Sequence, residues 1–198
     1  MTLTGIFAIK PTIEGGRATL RPFTPADIQA MGSILADPEI LRFTGSVHTT
    51  AEAGSRSPRL DEATRRWYET RADQADRLDL AVVDRVTNMC VGEVVLNDVN
   101  EPNDACNFRI LMGPHGRDRG IGSEATRMVL DHAFRTTSLN RIELDAYVFN
   151  PRALHVYEQC GFVYEGRRRA ALKFDAEYVD AIVMSMLRSD WEQGISRQ

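Results

Sequence analysis

The stretch Gly116-Arg117-Asp118-Arg119-Gly120-Ile121-Gly122-Ser123 decides how this chain is read. Before it, 105–112 (ACNFRILM) reads as a strand that follows a loop at 100–104. After it, 120–136 carries Ile121, Ala125, Met128, Val129 and Ala133 at helical spacing. The stretch is therefore a strand-to-helix turn. Such a turn presents free backbone N–H groups and the positive end of a helix dipole. Gly120 and Gly122 have no Cβ to keep an anion away from the backbone, and Arg117 and Arg119 add positive charge. The turn reads as a pyrophosphate cradle; an ordinary connection with surface arginines fits the same letters. A P-loop is excluded because no Gly-Lys-Ser/Thr close is present. Gly120-x-Gly122-x-x-Ala125 has the form of a dinucleotide fingerprint. That fingerprint follows its strand directly, whereas Gly113 to Arg119 intervene here, so a dinucleotide enzyme stays only as an alternative.

Working outward, 141–148 (RIELDAYV) is a second strand, and Asn150-Pro151 opens a helix that ends at Cys160 with Gly161 beyond it. Residues 162–172 and 178–187 form a hairpin around Phe174-Asp175-Ala176-Glu177. Upstream, Ala18 to Arg21 is a short strand. Thr24-Pro25-Ala26-Asp27 starts a helix with Thr24 as N-cap and Pro25 at N1. The small, polar text from Gly45 to Pro58 predicts a mobile loop. Ser57-Pro58 starts a helix through Trp67 and Tyr68 to about Ala72. Strands follow at 79–84 and 89–97, joined by a turn at Arg85 to Asn88. Strands, helix, strand, helix, strands make a mixed α/β layer, with a parallel pair around the central helix.

Composition narrows the function classes. The chain has 198 residues, and 43% hydrophobic with 26% charged residues is ordinary globular text. A single domain over 1–198 buries roughly 70% of its unfolded surface, enough for a core without staples. No apolar run is long enough to cross a membrane, and the N-terminus has no signal-peptide pattern. Cys90, Cys106 and Cys160 are odd in number and far apart, so neither a disulfide framework nor a metal site is expected, and a cytoplasmic place is. With 28 acids against 24 bases the net charge is −4, which speaks against a nucleic-acid binder.

Arg117-x-x-Gly120-x-Gly122 resembles the acyl-CoA signature of the GNAT N-acyltransferase superfamily. Asn150-Pro151-Arg152-Ala153-x-x-x-Tyr157-Glu158-x-x-Gly161-Phe162 resembles its second motif. Leu20-Arg21-Pro22 with Asp27, and the closing hairpin, are similar to the RimJ/RimL-like branch; the resemblance runs from about residue 17 to 191. It implies a central, mostly antiparallel sheet splayed at a parallel pair, here 105–112 and 141–148, with helices on both faces. It also implies acetyl-CoA as cosubstrate, lying in that splay, and no metal.

The resemblance distributes roles. Ile110, Leu111 and Met112 would offer a free strand edge to the pantetheine arm. Residues Arg117, Asp118, Arg119, Gly120, Ile121, Gly122 and Ser123 would hold the pyrophosphate. Asn150 is first an N-cap and could also touch the arm, with Ala153 small enough to leave room. Tyr157, seven residues and two helical turns after Asn150, is either a packed tyrosine or the acid that protonates the leaving thiolate. Glu93 lies in the apolar run Val91-Gly92-Glu93-Val94-Val95. It either faces solvent or points into the cleft and relays an amine proton. His48 could line the acceptor site or be a plain surface histidine. Asn107 and Arg109 stand where many RimJ/RimL-like chains carry an acid and a glycine, which leaves the acceptor open. Ala176 stands in place of the glycine common in the last hairpin. The expected partner is an amine, foremost a protein or peptide N-terminal α-amine near loop 45–58 and the helix bearing Trp67. A polyamine or antibiotic amine and a non-catalytic CoA-binding module are the alternatives. Neither nucleic acid nor a membrane is expected, and a homodimer is left open.

Overall fold

Residues 5–195 are described by the structure, a computed structural model. Eight strands form one sheet: β1 (Ile13–Glu14), β2 (Ala18–Arg21), β3 (Leu78–Asp84), β4 (Met89–Asn100), β5 (Ala105–Met112), β6 (Arg141–Tyr147), β7 (Val163–Phe174) and β8 (Glu177–Leu187). Their spatial order is β1-β2-β3-β4-β5-β6-β8-β7. Every neighbouring pair is antiparallel except β5–β6. That parallel pair keeps register only at Ala105–Arg141, Cys106–Ile142 and Asn107–Glu143. Beyond it β5 stays on β4 as far as Met112, and β6 stays on β8 as far as Tyr147. The sheet therefore opens between two halves that are each still fully laddered. From Phe108 onward the facing edges of β5 and β6 have no strand partner.

Alternation along the strands distributes the core to two faces. Leu80, Val82, Val94, Leu96 and Phe108 pack with α5 (Ile121–Thr136) and α6 (Pro151–Gln159). Trp191 of α7 (Arg188–Ile195) stacks on Phe134 of α5 at 5.5 Å. Ala81, Val83 and Leu111 pack on the other face with α1 (Pro25–Leu35), α2 (Pro38–Phe43) and α4 (Glu62–Glu69). Helices thus cover both faces, as expected. Thr24 and Asp27 close the capping box of α1, and Arg21 fastens it from β2 through a 2.5 Å contact with Asp27.

Two upstream expectations change. The segment 45–58 is not a loop throughout: it holds α3 (Thr50–Gly54), N-capped by Thr49. Five residues cannot sustain a helix by propensity. Val47 and Ala53 anchor this one among Leu41, Leu172 and Phe174. Thr50 donates its amide to Asp175 at 2.9 Å, so the segment is tied to the β7–β8 turn. The helix bearing Trp67 begins later than Ser57-Pro58, because Asp61 is the side chain that caps it, accepting from the Thr64 amide at 2.6 Å.

Candidate active site

The splay encloses a cleft of about 680 Å³. Its walls are the free edges of β5 and β6, the turn into α5, the first turns of α6 and the end of α2. Ile110, Leu111 and Met112 line it, and so do Arg117, Asp118, Gly120, Gly122, Ser123, Asn150, Ala153 and Tyr157. Free peptide groups along β5 must find partners, and an extended amide-bearing molecule in the cleft meets that need.

The turn into α5 is built to leave amides free. Asp118 has φ 56° and Gly120 φ 72°, a reversal that brings the chain into the helix with no side-chain cap. The first-turn N–H groups therefore lack intrahelical acceptors and meet the cleft at the positive end of a 16-residue helix. A Cβ on Gly122 would sit 3.4 Å from the Met112 side chain, so the cradle is already close-fitting.

The arginines of the turn do something other than expected. Arg117 is mostly buried; it donates to the Met112 carbonyl at 2.8 Å and pairs with Asp37 at 2.6 Å and with Glu39. Its charge is spent fastening the turn to the start of α2. Arg119 does not line the cleft; it bonds the buried Asp84 at 2.7 Å and holds that carboxyl below its usual range. Ile121 is 1% exposed and belongs to the core. Two other cations stand at the cradle instead. The Arg17 guanidinium lies 3.5 Å from where a Cβ of Gly120 would be, and Arg152 lines the cleft while bonded to Glu39 at 3.1 Å. Arg17 lies about 100 residues upstream in sequence, and no local pattern connects it to the turn.

On α6, Asn150 accepts the Ala153 amide at 3.1 Å and is the N-cap that its position predicts. Tyr157 is 8% exposed and sits edge-on to Phe108 and Phe162 at 6.1 and 5.9 Å. Its hydroxyl has no hydrogen bond among the described residues, and it borders the cleft. Burial pushes its pKa above the usual phenol value, which keeps the proton on.

Glu93 neither faces solvent nor lines the cleft. It is 2% exposed, hydrogen-bonded by Tyr68, and its Oε2 has no partner. Burial pushes its pKa up to about 7, against the pull of the Tyr68 hydroxyl and Arg109. Cross-strand it pairs with Ala81 and with Leu111, a residue that does line the cleft. His48 is exposed with Nδ1 3.0 Å from the Lys173 carbonyl. Of the 45–58 segment only Ser46 borders the cleft, and Trp67 is stacked beneath Arg71 at 3.9 Å, away from it. The rest of the lining includes Phe43, Thr44, Asn107, Arg109, Asp145 and Arg168, of which the sequence pointed only to Asn107 and Arg109.

Comparison with known proteins agrees with this arrangement. The profile of the acetyltransferase (GNAT) domain matches residues 17–163. A spermidine N(1)-acetyltransferase of Vibrio cholerae is 30% identical over 132 residues, covering 67% of this chain and 75% of that protein. An uncharacterized, SPbeta prophage-derived N-acetyltransferase of Bacillus subtilis is 28% identical over 90% of this chain and 94% of its own. Among solved structures, the Vibrio cholerae spermidine N-acetyltransferase in complex with CoA and spermine shares the fold, with TM-score 0.74 and 23% identity over 90% of this chain and 99% of that one.

Proposed function

The chain belongs to the GNAT acetyltransferase family, and on that premise we propose that its acceptor is an α-amine, foremost a protein or peptide N-terminus. The activity is N-acetyl transfer from acetyl-CoA. Acetyl-CoA supplies an activated thioester carbonyl. The amine nitrogen attacks that carbon, the C–S bond breaks, the thiolate takes the proton of the Tyr157 hydroxyl, and the proton lost by the nitrogen passes to water, from which Tyr157 regains its own. The β5 edge and the α5 amides orient the donor; Tyr157 holds its proton at neutral pH, so it has a proton to give and is not a base.

One observation carries the choice of amine. Among the described residues lining the cleft there is no histidine or glutamate, and its two aspartates, Asp118 and Asp145, each stand 3.6 Å from an arginine. Without a base at hand the amine must arrive neutral. At pH about 7.2 roughly a fifth of an α-amine is neutral, against on the order of one in two thousand lysine side chains. Glu93 is a relay at most, reaching the amine through water past Leu111. The Arg21–Asp27 clasp that closes the α1 capping box supports placing the chain with the RimJ/RimL-like branch. Three unpaired thiols support a reducing, cytoplasmic place.

A small-amine acceptor is the second reading, favoured by the 30% identity to a spermidine acetyltransferase. Amine-dependent CoA release with free peptides, N-terminally blocked peptides and spermidine separates the two. Faster turnover of free N-termini is expected. Faster turnover of blocked peptides or spermidine overturns the α-amine reading, and binding of acetyl-CoA with no release for any amine points to a non-catalytic CoA-binding module.

A further inference from the structure

Arg109 occupies an unusual position in this cleft. On β5 it alternates with Phe108, which is core, so its side chain leaves the sheet on the α1–α2 face together with Asn107 and Leu111. β5 parts from β6 after Asn107, so Arg109 stands just inside the splay, exposed and lining the cleft. The other arginines of the wall are engaged. Arg117 holds Asp37 and Glu39, Arg152 holds Glu39 and Asp118, and Arg168 lies 3.6 Å from Asp145. Arg109 makes no hydrogen bond or ion pair with any described residue. The ionisable groups that feel it are Glu93 of β4 and Tyr68 of α4, both buried and hydrogen-bonded to each other. Its neighbour Asn107 donates to Asn97 at 3.1 Å, which fixes that amide beside it on the same face.

A guanidinium that is exposed inside a walled cleft and has five unused donors is a receptor for a planar anion. Carboxylate fits its fork with two parallel bonds. A second ammonium group would find no unpaired acid among the described lining residues and would meet this charge. From this we propose that Arg109 is a specificity-determining residue that receives a carboxylate on the acceptor. The acceptor is then a peptide α-amine with a carboxylate only a few bonds away, as in a peptide beginning with Asp or Glu. The proposal rests on reading the cleft as an acetyl-transfer site for α-amines, and it adds the part of the acceptor that is recognised.

The test is steady-state CoA release with matched acceptors: peptides beginning with Glu and with Gln, peptides beginning with Asp and with Asn, and spermidine. A charge-assisted hydrogen bond contributes about 1.5–3 kcal/mol, so wild-type protein should prefer the carboxylate member of a pair by about 10- to 150-fold, chiefly in KM. Arg109→Ala should bring that ratio close to one, Arg109→Lys should keep part of it, and Arg109→Glu should reverse it toward spermidine. A thermal shift with acetyl-CoA confirms that each variant is folded. Equal use of acid and amide by wild type, or a ratio unchanged in Arg109→Ala, overturns the role of Arg109 while leaving acetyl transfer standing. Transfer to none of the acceptors by protein that binds acetyl-CoA overturns both.

Discussion

Tyr157 and Glu93 are buried ionisable groups whose environments lead to different consequences. Tyr157 keeps its proton because its surroundings are aromatic, and it borders the cleft. Tyr157→Phe keeps the packing and deletes the acid. Its kcat should fall about 10²- to 10⁴-fold while the KM for acetyl-CoA holds. Normal turnover in that variant would remove Tyr157 from the chemistry. Glu93 carries a cost that depends on pH. Its folded pKa of about 7 lies above its ordinary 4.5, so between those values the folded state holds a proton that the unfolded chain has lost. Stability therefore falls as pH rises through that window and is level above it. The full shift amounts to on the order of 3 kcal/mol. Glu93→Gln should abolish this slope: its stability relative to wild type should climb from about pH 5 to pH 7, followed by urea melts at each pH, and a parallel pair of curves contradicts the assignment. The letters alone leave Glu93 ambiguous, because alternation tells which neighbours share its face but not that α1 and α4 cover that face.

At the scale of elements, the turn into α5 was readable because its signals are local: two glycines, a helix period after them and a strand before them. Asn150 was readable for the same reason, being an N-cap followed by proline. The ion pairs of Arg117 and Arg119 were not readable, because their partners, Asp37, Glu39 and Asp84, come from remote elements. On the proposed reading the cradle binds through backbone amides, and it should be sensitive to bulk. Gly122→Val puts a branched side chain where Met112 is already 3.4 Å away, and should raise the Kd for acetyl-CoA strongly with little loss of fold. Unchanged affinity in the folded variant would count against the cradle. The β7–β8 turn makes an independent prediction. Asp175 and Ala176 sit at φ 45° and 68°, a left-handed conformation that costs an L-residue about 1–2 kcal/mol. Asp175 has a reason to be there, since it accepts from the Thr50 amide; Ala176 makes no side-chain hydrogen bond in exchange. Ala176→Gly should therefore stabilise the protein by about 1 kcal/mol, and a lowered melting temperature would show that the turn is not strained.

Over the whole molecule the sheet is two ladders joined by three residue pairs, and that construction has a consequence for stability. The topology was legible because a strand–helix–strand unit at 105–148 demands a parallel pair within an otherwise antiparallel order. The width of the splay and the residues of its acceptor wall were not. They depend on where β5 and β6 separate and on α2 and β7 closing over the gap, contacts between elements that are not neighbours in sequence. On the proposed reading a donor lies between the ladders, against β5 and α6, and so binds the folded state and has little to bind in the unfolded one. At 100 times its Kd such a ligand adds about 2.7 kcal/mol. For a chain of this length that corresponds to a rise in melting temperature of roughly 5–10 °C. CoA and acetyl-CoA should both produce it. NAD(P) carries a pyrophosphate but no pantetheine arm to lie along Ile110 to Met112, and it should produce almost none. Equal shifts would mean that the amides of the α5 turn do all the binding; a shift with NAD(P) alone would return the turn to the dinucleotide fingerprint it formally matches.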